Sequence, residues 1–293
     1  MRVNISALSD TGRKRSTNED SLLVDESMGL FAVADGMGGH EHGEVASQMA
    51  LQTLHEALRA SGVATQRPKT RTAMAKALHN AASEAAQKVA RFSIGQRGMG
   101  TTMTAVLLHG NHGLMVHVGD SRLYLQRQGR LRQLSKDHTL VSALVEQGAC
   151  TPPEAVHHPL RHVLTRALGH KPDVSIDMDC FELLPGDKLL LCSDGLTGHF
   201  EDEELADVLV GTNVEAQNKY LLRACNHRGG FDNITSVLVH IESTTKEDTD
   251  NALRARQSPR GRRPRLKIAT DFNLSNMRLA LDKLARVAMT SWT

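Results

Sequence analysis

The stretch from Leu30 to His40, LFAVADGMGGH, decides how this chain folds. Its five leading apolar residues have the composition of a buried β-strand, and the strand stops at the carboxylate of Asp35. Glycines at 36, 38 and 39 permit positive φ angles and a close approach of the backbone to whatever that carboxylate holds. An Asp-Gly pair after a strand is also an ordinary turn, so the interpretation depends on whether the arrangement recurs.

The arrangement recurs at three more places. One apolar strand ends in Gly119-Asp120, another ends in Asp194-Gly195, and Asp232 directly precedes the last predicted strand. The N-terminal loop adds Asn18-Glu19-Asp20. Carboxylates gathered at one rim repel each other, so they must either protonate or hold cations. Oxygen-only ligand sets favour Mg²⁺ or Mn²⁺ over zinc.

Such a site has a defined chemistry. Two divalent ions sharing one carboxylate would lower the pKa of a shared water and deliver hydroxide at neutral pH, which cleaves phosphate esters without a protein nucleophile. The phosphate also needs a cationic clamp, and Arg13, Lys14 and Arg15 stand just upstream of Asn18. A guanidinium binds phosphate oxygens bidentately. These residues therefore predict a metal-assisted phosphohydrolase.

Hydrophobic periodicity predicts long helices that are separate from clusters of antiparallel strands, which is typical of an α+β fold. Residues 150–173 are rich in Pro and His and are expected to form a surface segment near the site. The predicted helices are near 46–58, 74–89, 139–146, 201–210 and 214–226. The predicted strands are near 2–8, 22–24, 30–34, 101–108, 114–118, 123–127, 131–134, 174–180, 188–192 and 234–241.

The charge of the chain is divided unevenly. Residues 244–293 carry eleven Lys/Arg against five Asp/Glu, and residues 1–243 carry 24 against 28. A slightly acidic body argues against a nucleic-acid surface on the main domain. The four cysteines lack a CxxC pair and are expected to be buried free thiols of a reducing compartment. The N-terminus lacks the apolar run of a signal peptide, so a cytoplasmic location is expected.

The basic tail has two parts. Residues 244–268 have the composition of a flexible linker, and residues 269–293 carry Leu274, Met277, Leu281 and Leu284 on one helical face. The amphipathic helix could lie on the domain or remain disordered. It could instead dock, with its basic arm, on a partner protein or on anionic lipid.

Seven motifs occur in a fixed order between roughly residues 2 and 241, which makes their combination specific. They are Ser9–Gly12 with Arg15 to Asp20, Val33–His40, Gly100–Thr102, Val118–Arg122, Asp137-His138, Ser193–Leu196 and Asp232–Thr235. The set resembles that of the metal-dependent protein serine/threonine phosphatases (PPM family, protein phosphatase type 2C) in their compact bacterial form. The resemblance implies a catalytic domain over 1–243 with a central antiparallel β-sandwich flanked by α-helices, in four layers α-β-β-α.

The resemblance also implies a role for each matching residue in a centre of two Mn²⁺ or Mg²⁺ ions. The metal ligands would be the bridging Asp35, the carbonyl of Gly36, Glu19 on one ion, Asp194 and Asp232 on the other, and Asp120 with Asp194 on a weaker third ion. Around them, Asp20 would orient metal-bound water, Arg15 would hold the phosphate and Asn233 would support the site. The implied activity is hydrolysis of phosphoserine and phosphothreonine, with phosphoproteins and a cognate Ser/Thr kinase as partners.

Two positions depart from the family pattern. Met37 stands where many relatives have the histidine thought to protonate the leaving group, so His40 is a candidate acid or a structural residue of the glycine turn. Gly198 stands where the family usually has a third-metal aspartate. The non-enzyme alternative is therefore a phosphoprotein-binding regulator of a kinase pathway with weak catalysis. A further alternative is an adaptor that acts mainly through its tail.

Overall fold

The computed structural model describes residues 1–38, 41–62, 70–95 and 98–243. The predictions made for His40, for the linker 244–268 and for the helix 269–293 lie outside the described residues. No helix among the described residues is long and apolar enough to cross a membrane.

The described residues contain eleven strands and seven helices. In chain order they are β1 (Arg2–Asp10), β2 (Asp20–Asp25), β3 (Leu30–Met37), α1 (Glu41–Ala60), α2 (Arg71–Phe92), β4 (Gly100–Thr101), β5 (Met103–His109), β6 (His112–Val118), β7 (Arg122–Arg127), β8 (Arg130–Gln133), α3 (Leu140–Glu146), α4 (Pro152–Val156), β9 (Asp177–Glu182), β10 (Lys188–Cys192), α5 (Asp194–Thr197), α6 (Asp202–Val208), α7 (Val214–His227) and β11 (Ile234–Ser243).

The strands form two sheets whose paired strands are all antiparallel. One sheet has the order β1-β11-β10-β7-β8, and the other has the order β2-β3-β5-β6-β9 with β4 attached to β3. Helices α1 and α2 pack on the second sheet, and α5 to α7 pack on the first. This confirms the predicted sandwich with four layers.

The core explains why β3 is apolar without interruption. Phe31 and Val33 face the space between the two sheets, while Leu30, Ala32 and Ala34 face α1 and α2. Since successive side chains of a strand point to opposite faces, both faces of β3 are covered. Burying these side chains stabilises the fold by roughly 1.5–3 kcal/mol for each large one.

Two local expectations were wrong, one for Cys180 and one for Gly36. The segment 150–173 lies largely at the surface as expected and contains the short helix α4, and α5 begins directly after Ser193. Cys192 and Cys225 are buried free thiols as predicted, but Cys180 is exposed. Gly38 has the positive φ expected of the glycine turn, whereas Gly36 does not. Gly36 is needed because of close packing around it.

Candidate metal centre

Asp20 and Asp35 face each other across β2 and β3 at one end of the sandwich. Asp35 follows Phe31 and Val33 in strand alternation, so its side chain points into the space between the two sheets. Ser193, at the end of β10, points into the same space and donates a hydrogen bond from Oγ to Asp20 Oδ2 at 2.7 Å. The other oxygen of Asp20, Oδ1, is buried without a hydrogen-bond partner.

The backbone of Asp35 is fixed by the Gly-Thr-Thr motif. The Asp35 amide donates to Thr102 Oγ1 at 2.8 Å. Its carbonyl accepts from Thr101 Oγ1 and from the Thr102 amide, both at 2.9 Å. Thr102 Oγ1 also lies 2.7 Å from Ser121 Oγ, beside Asp120. The two threonines thus hold the strand end from which the carboxylate projects.

Gly36 and Gly43 are glycines because other groups come very close to them. A Cβ on Gly36 would lie 2.1 Å from the Gly43 carbonyl oxygen. A Cβ on Gly43 would lie 1.9 Å from Glu19 Oε2. The Glu19 carboxylate therefore rests against the first turn of α1, where a negative charge is favourable. The Gly36 amide donates to the Glu19 carbonyl at 3.1 Å, so Glu19 and Gly36 are adjacent.

Asn233 connects the N-terminal loop to the start of β11. Its Nδ2 donates to the carbonyls of Thr11 and Thr17, both at 2.9 Å. Its Oδ1 accepts from the Glu19 amide at 2.8 Å. One side chain thus positions the backbone on both sides of the basic loop, which supports the predicted structural role of Asn233.

Arg15 and Asp232 bind each other in this structure. Arg15 Nη2 donates to Asp232 Oδ2 at 2.8 Å, and the Arg15 side chain is 53% exposed. Hydrogen bonding to Asp232 raises the pKa of Arg15. The guanidinium predicted to hold phosphate and a predicted metal ligand are therefore neighbours, and solvent reaches both.

Four acids at this end of the sandwich, which we call the carboxylate edge, strongly perturb one another's pKa values. They are Asp20, Asp35, Asp120 and Asp194. Burial raises the pKa of Asp20 to about 7. Burial and the charges of Asp20 and Asp194 raise the pKa of Asp35 well above its usual range. Burial also opposes ionisation of Asp194, but contact with His162 and a hydrogen bond with Asp35 lower its pKa. Burial and Asp194 raise the pKa of Asp120. These shifts show four carboxyl groups sharing one electrostatic environment.

The structure also brings a histidine of the His-rich segment 150–173 to the site. His162 Nδ1 lies 3.4 Å from Asp194 Oδ2. Its segment is anchored at Arg166, which pairs with Asp177 at 2.5 Å, and Asp177 also lies 3.1 Å from His138 Nε2. No periodicity marks His162 in the sequence; only its place in the His-rich segment could have pointed to it.

The same histidine network explains the Asp137-His138 motif. His138 Nδ1 accepts a hydrogen bond from the Gly119 amide at 3.0 Å, so His138 holds the turn that carries Asp120. Asp137 accepts a fork of hydrogen bonds from Arg122, at 2.7 to 3.0 Å. Both motif residues thus stabilise the backbone around Asp120 through its neighbours Gly119 and Arg122.

The donors at this edge fit hard divalent cations. Among the described residues, no three His, Cys, Asp or Glu side chains form a ready-made cage for one ion. Mg²⁺ and Mn²⁺ need no such cage, since Mg²⁺ keeps several waters and uses one or two carboxylates. One oxygen of Asp20 is buried without a hydrogen-bond partner, and the pKa of Asp35 is raised. Negative charge on these two carboxyl groups is therefore not balanced by nearby positive charge in the described part of the chain. A bound divalent cation would supply that positive charge.

Comparisons with known proteins identify the family of this chain. The family model described as "Protein phosphatase 2C" matches residues 11–223. The serine/threonine protein phosphatase PstP of Mycobacterium tuberculosis is 39% identical over 241 residues, which are 82% of this chain and 45% of PstP. The protein phosphatase PhpP of Streptococcus pneumoniae is 36% identical over 256 residues, which are 85% of this chain and all of PhpP.

Solved structures share the fold. The crystal structure of PstP from M. tuberculosis is 38% identical, has a TM-score of 0.74, and matches 82% of this chain and 99% of its own. The PstP catalytic domain with two manganese ions is 36% identical, has a TM-score of 0.72, and matches 82% and 99%. The family model and these relatives each cover well over half of the chain. The chain therefore belongs to the protein phosphatase 2C (PPM) family of metal-dependent serine/threonine protein phosphatases.

Proposed function

We propose that this chain hydrolyses phosphoserine and phosphothreonine in proteins, with two Mn²⁺ or Mg²⁺ ions bound at the carboxylate edge. The observation that carries the proposal is the convergence of Asp20, Asp35 and Asp194 on one buried edge next to the exposed Arg15. The chain spans about 45% of the length of PstP and all of PhpP.

The ligands proposed for the two ions are Asp35, the Gly36 carbonyl, Glu19, Asp194 and Asp232. When bound, the ions supply a water of lowered pKa and neutralise phosphate charge. The chain positions these ligand residues through hydrogen bonds to their backbone. Asp35 is fixed at its amide and its carbonyl, and Glu19 is fixed at its amide by Asn233.

Three side chains act around the reacting phosphate. Arg15 exchanges Asp232 for phosphate oxygens, which its exposure and its fork of donors permit. Asp20 presents its unpartnered oxygen as an acceptor that orients the attacking water. The neutral Ser193 hydroxyl fixes the other oxygen of Asp20 and leaves that acceptor free.

A third ion between Asp120 and Asp194 belongs to this proposal, with Gly198 offering no carboxylate to it. We expect that ion to bind weakly and Met37 to play no part in proton transfer. A cognate Ser/Thr kinase follows from the substrate class, because phosphoserine and phosphothreonine must be made before they are hydrolysed. The cytoplasmic location and the docking of the tail on a protein or membrane surface stay predictions from the sequence.

The test is hydrolysis of a phosphothreonine peptide and of para-nitrophenyl phosphate across a Mn²⁺ and a Mg²⁺ titration. We expect turnover that requires metal and that Asp35→Asn removes. Metal-independent turnover would contradict the proposal. So would a wild-type protein that binds phosphopeptide without hydrolysing it, since that result would favour the regulator.

A further inference from the structure

His162 lies beside Asp194 without forming a close pair with it. Its Nδ1 is 3.4 Å from Asp194 Oδ2, and its side chain is 61% exposed. By comparison, His55 and Asp25 approach each other to 2.7 Å. Two ligands on adjacent corners of an octahedral ion, each about 2.1 Å from the metal, are about 3.0 Å apart. The separation of His162 and Asp194 is therefore nearer to that of two ligands on one ion than to that of a direct hydrogen bond.

The strand register places Asp120 on the other side of Asp194. Arg122 of β7 pairs with Cys192 of β10 in antiparallel register. Asp120 precedes Arg122 by two positions and Asp194 follows Cys192 by two, so both acids leave the sheet at the same end of neighbouring strands. Burial and the charge of Asp194 raise the pKa of Asp120, as expected for adjacent acids. One ion can therefore contact both carboxylates.

The segment that carries His162 is fixed to the turn that carries Asp120. The Thr165 amide donates to the His138 carbonyl at 2.8 Å. The His138 amide donates to the Gly119 carbonyl at 2.8 Å, and the Gly119 amide donates back to His138 Nδ1 at 3.0 Å. Backbone hydrogen bonds through His138 thus hold the His162 segment next to Asp120, independently of the contact between His162 and Asp194.

We propose that His162 is a nitrogen ligand of a third divalent ion, which it holds together with Asp120 and Asp194. The inference rests on the proposed phosphatase centre and gives its third ion a ligand that Gly198 cannot supply. In the ranges that the structure describes, no three such side chains already form a cage, so water would complete the shell around this ion.

A nitrogen ligand changes which ion the third site prefers. Imidazole suits transition-metal ions, whereas Mg²⁺ takes oxygen ligands and keeps several waters. The ligands proposed for the first two ions are all oxygen atoms. The third site should therefore discriminate against Mg²⁺ more strongly than the first two sites do.

The test is pulsed EPR of Mn²⁺ bound to protein labelled with ¹⁵N-histidine. A ¹⁵N coupling of directly bound imidazole reports a histidine ligand, because every other proposed ligand is an oxygen atom. We expect this coupling to appear as Mn²⁺ is added beyond two equivalents. His162→Ala should remove the coupling and weaken the third Mn²⁺ at least about tenfold in titrations of free Mn²⁺, with the first two ions unchanged.

Two further variants separate ligation from other effects at the site. His162→Asp replaces the nitrogen with an oxygen ligand, so it should restore binding of the third Mn²⁺ without the ¹⁵N coupling and let Mg²⁺ compete better. The matched control is His157→Ala, which removes another exposed histidine of the segment 150–173. It should keep both the coupling and the wild-type Mn²⁺ affinity.

A ¹⁵N coupling that persists in His162→Ala would overturn the inference. A wild type that binds two Mn²⁺ ions and hydrolyses phosphopeptide without showing the coupling would also overturn it, while leaving the phosphatase activity intact. A wild type that binds no Mn²⁺ would overturn both the inference and the proposed function.

Discussion

The buried carboxyl of Asp20 is expected to lower the free energy of unfolding of the metal-free protein at neutral pH. Burial raises the pKa of its carboxyl to about 7, whereas an aspartate in an unfolded chain has a pKa of about 3.9. The folded state therefore binds this proton more tightly than the unfolded state does. The contribution of Asp20 to stability is greatest below about pH 4 and falls as the pH rises to about 7, where the loss from this group reaches about 4 kcal/mol.

The perturbation is Asp20→Asn in protein stripped of metal. Asparagine is isosteric, and its Oδ1 can still accept the hydrogen bond from Ser193 Oγ. A buried amide without a full set of partners costs about 1–3 kcal/mol at every pH. The stability of the variant minus that of the wild type should nevertheless rise by about 2–3 kcal/mol between pH 5 and pH 8, since the variant lacks the Asp20 carboxyl.

The assay is urea unfolding with EDTA at both pH values, with Asp207→Asn as the control. Asp207 is exposed in α6, so its substitution should change stability by no more than about 0.5 kcal/mol at either pH. The Asp20→Asn protein should also hydrolyse phosphopeptide far more slowly than the wild type in saturating Mn²⁺. A stability difference that stays constant between pH 5 and pH 8 would refute the reasoning.

Three further substitutions probe the fold and the site. Lys188→Met should lower the free energy of unfolding by about 2–4 kcal/mol in urea titrations, because the buried ammonium donates to the backbone carbonyls of Leu209 and Gly211 and to the side-chain oxygen of Gln217; a change under about 0.5 kcal/mol would contradict this. Gly195→Ala should lower both stability and turnover, because its Cβ would lie 2.0 Å from the Asn233 carbonyl oxygen; wild-type melting and turnover would argue against that close approach. Gly198→Asp requires the Asp194 carbonyl oxygen, 3.2 Å from the new Cβ, to shift by a few tenths of an ångström, and should lower the Mn²⁺ concentration at half-maximal turnover; an unchanged Mn²⁺ curve would mean that position 198 does not limit binding of the proposed third ion.

The sequence predicted the carboxylate edge because Asp35, Asp120 and Asp194 each stand at the end of an apolar strand. The strand ends near Asp35, Asp120 and Asp194 are local features, and antiparallel packing brings them to one end of a sandwich. The strand β3 could also be predicted from the sequence, because both of its faces are buried and this requires an unbroken run of apolar residues. The α+β class and its four layers followed from the same patterns and the family resemblance.

Contacts between distant parts of the chain could not be predicted in this way. The approach of His162 to Asp194 depends on how a segment without periodicity folds over the edge. The pairing of Arg15 with Asp232 joins residues 217 positions apart, and neither residue type has a local preference that predicts it. Gly36 was correctly marked as special, but its cause is the packing of Gly43 rather than a positive φ.

Manganese binding by isothermal titration calorimetry tests the central claim most directly. We expect wild-type protein to bind two Mn²⁺ ions per chain and Asp35→Asn to lose this binding, because both ions would share that carboxylate in the proposed centre. The matched control is Asp25→Asn, at the far end of β2, where the carboxylate pairs with His55 at 2.7 Å and should leave Mn²⁺ binding unchanged. Equal Mn²⁺ binding by the wild type and Asp35→Asn would contradict the account.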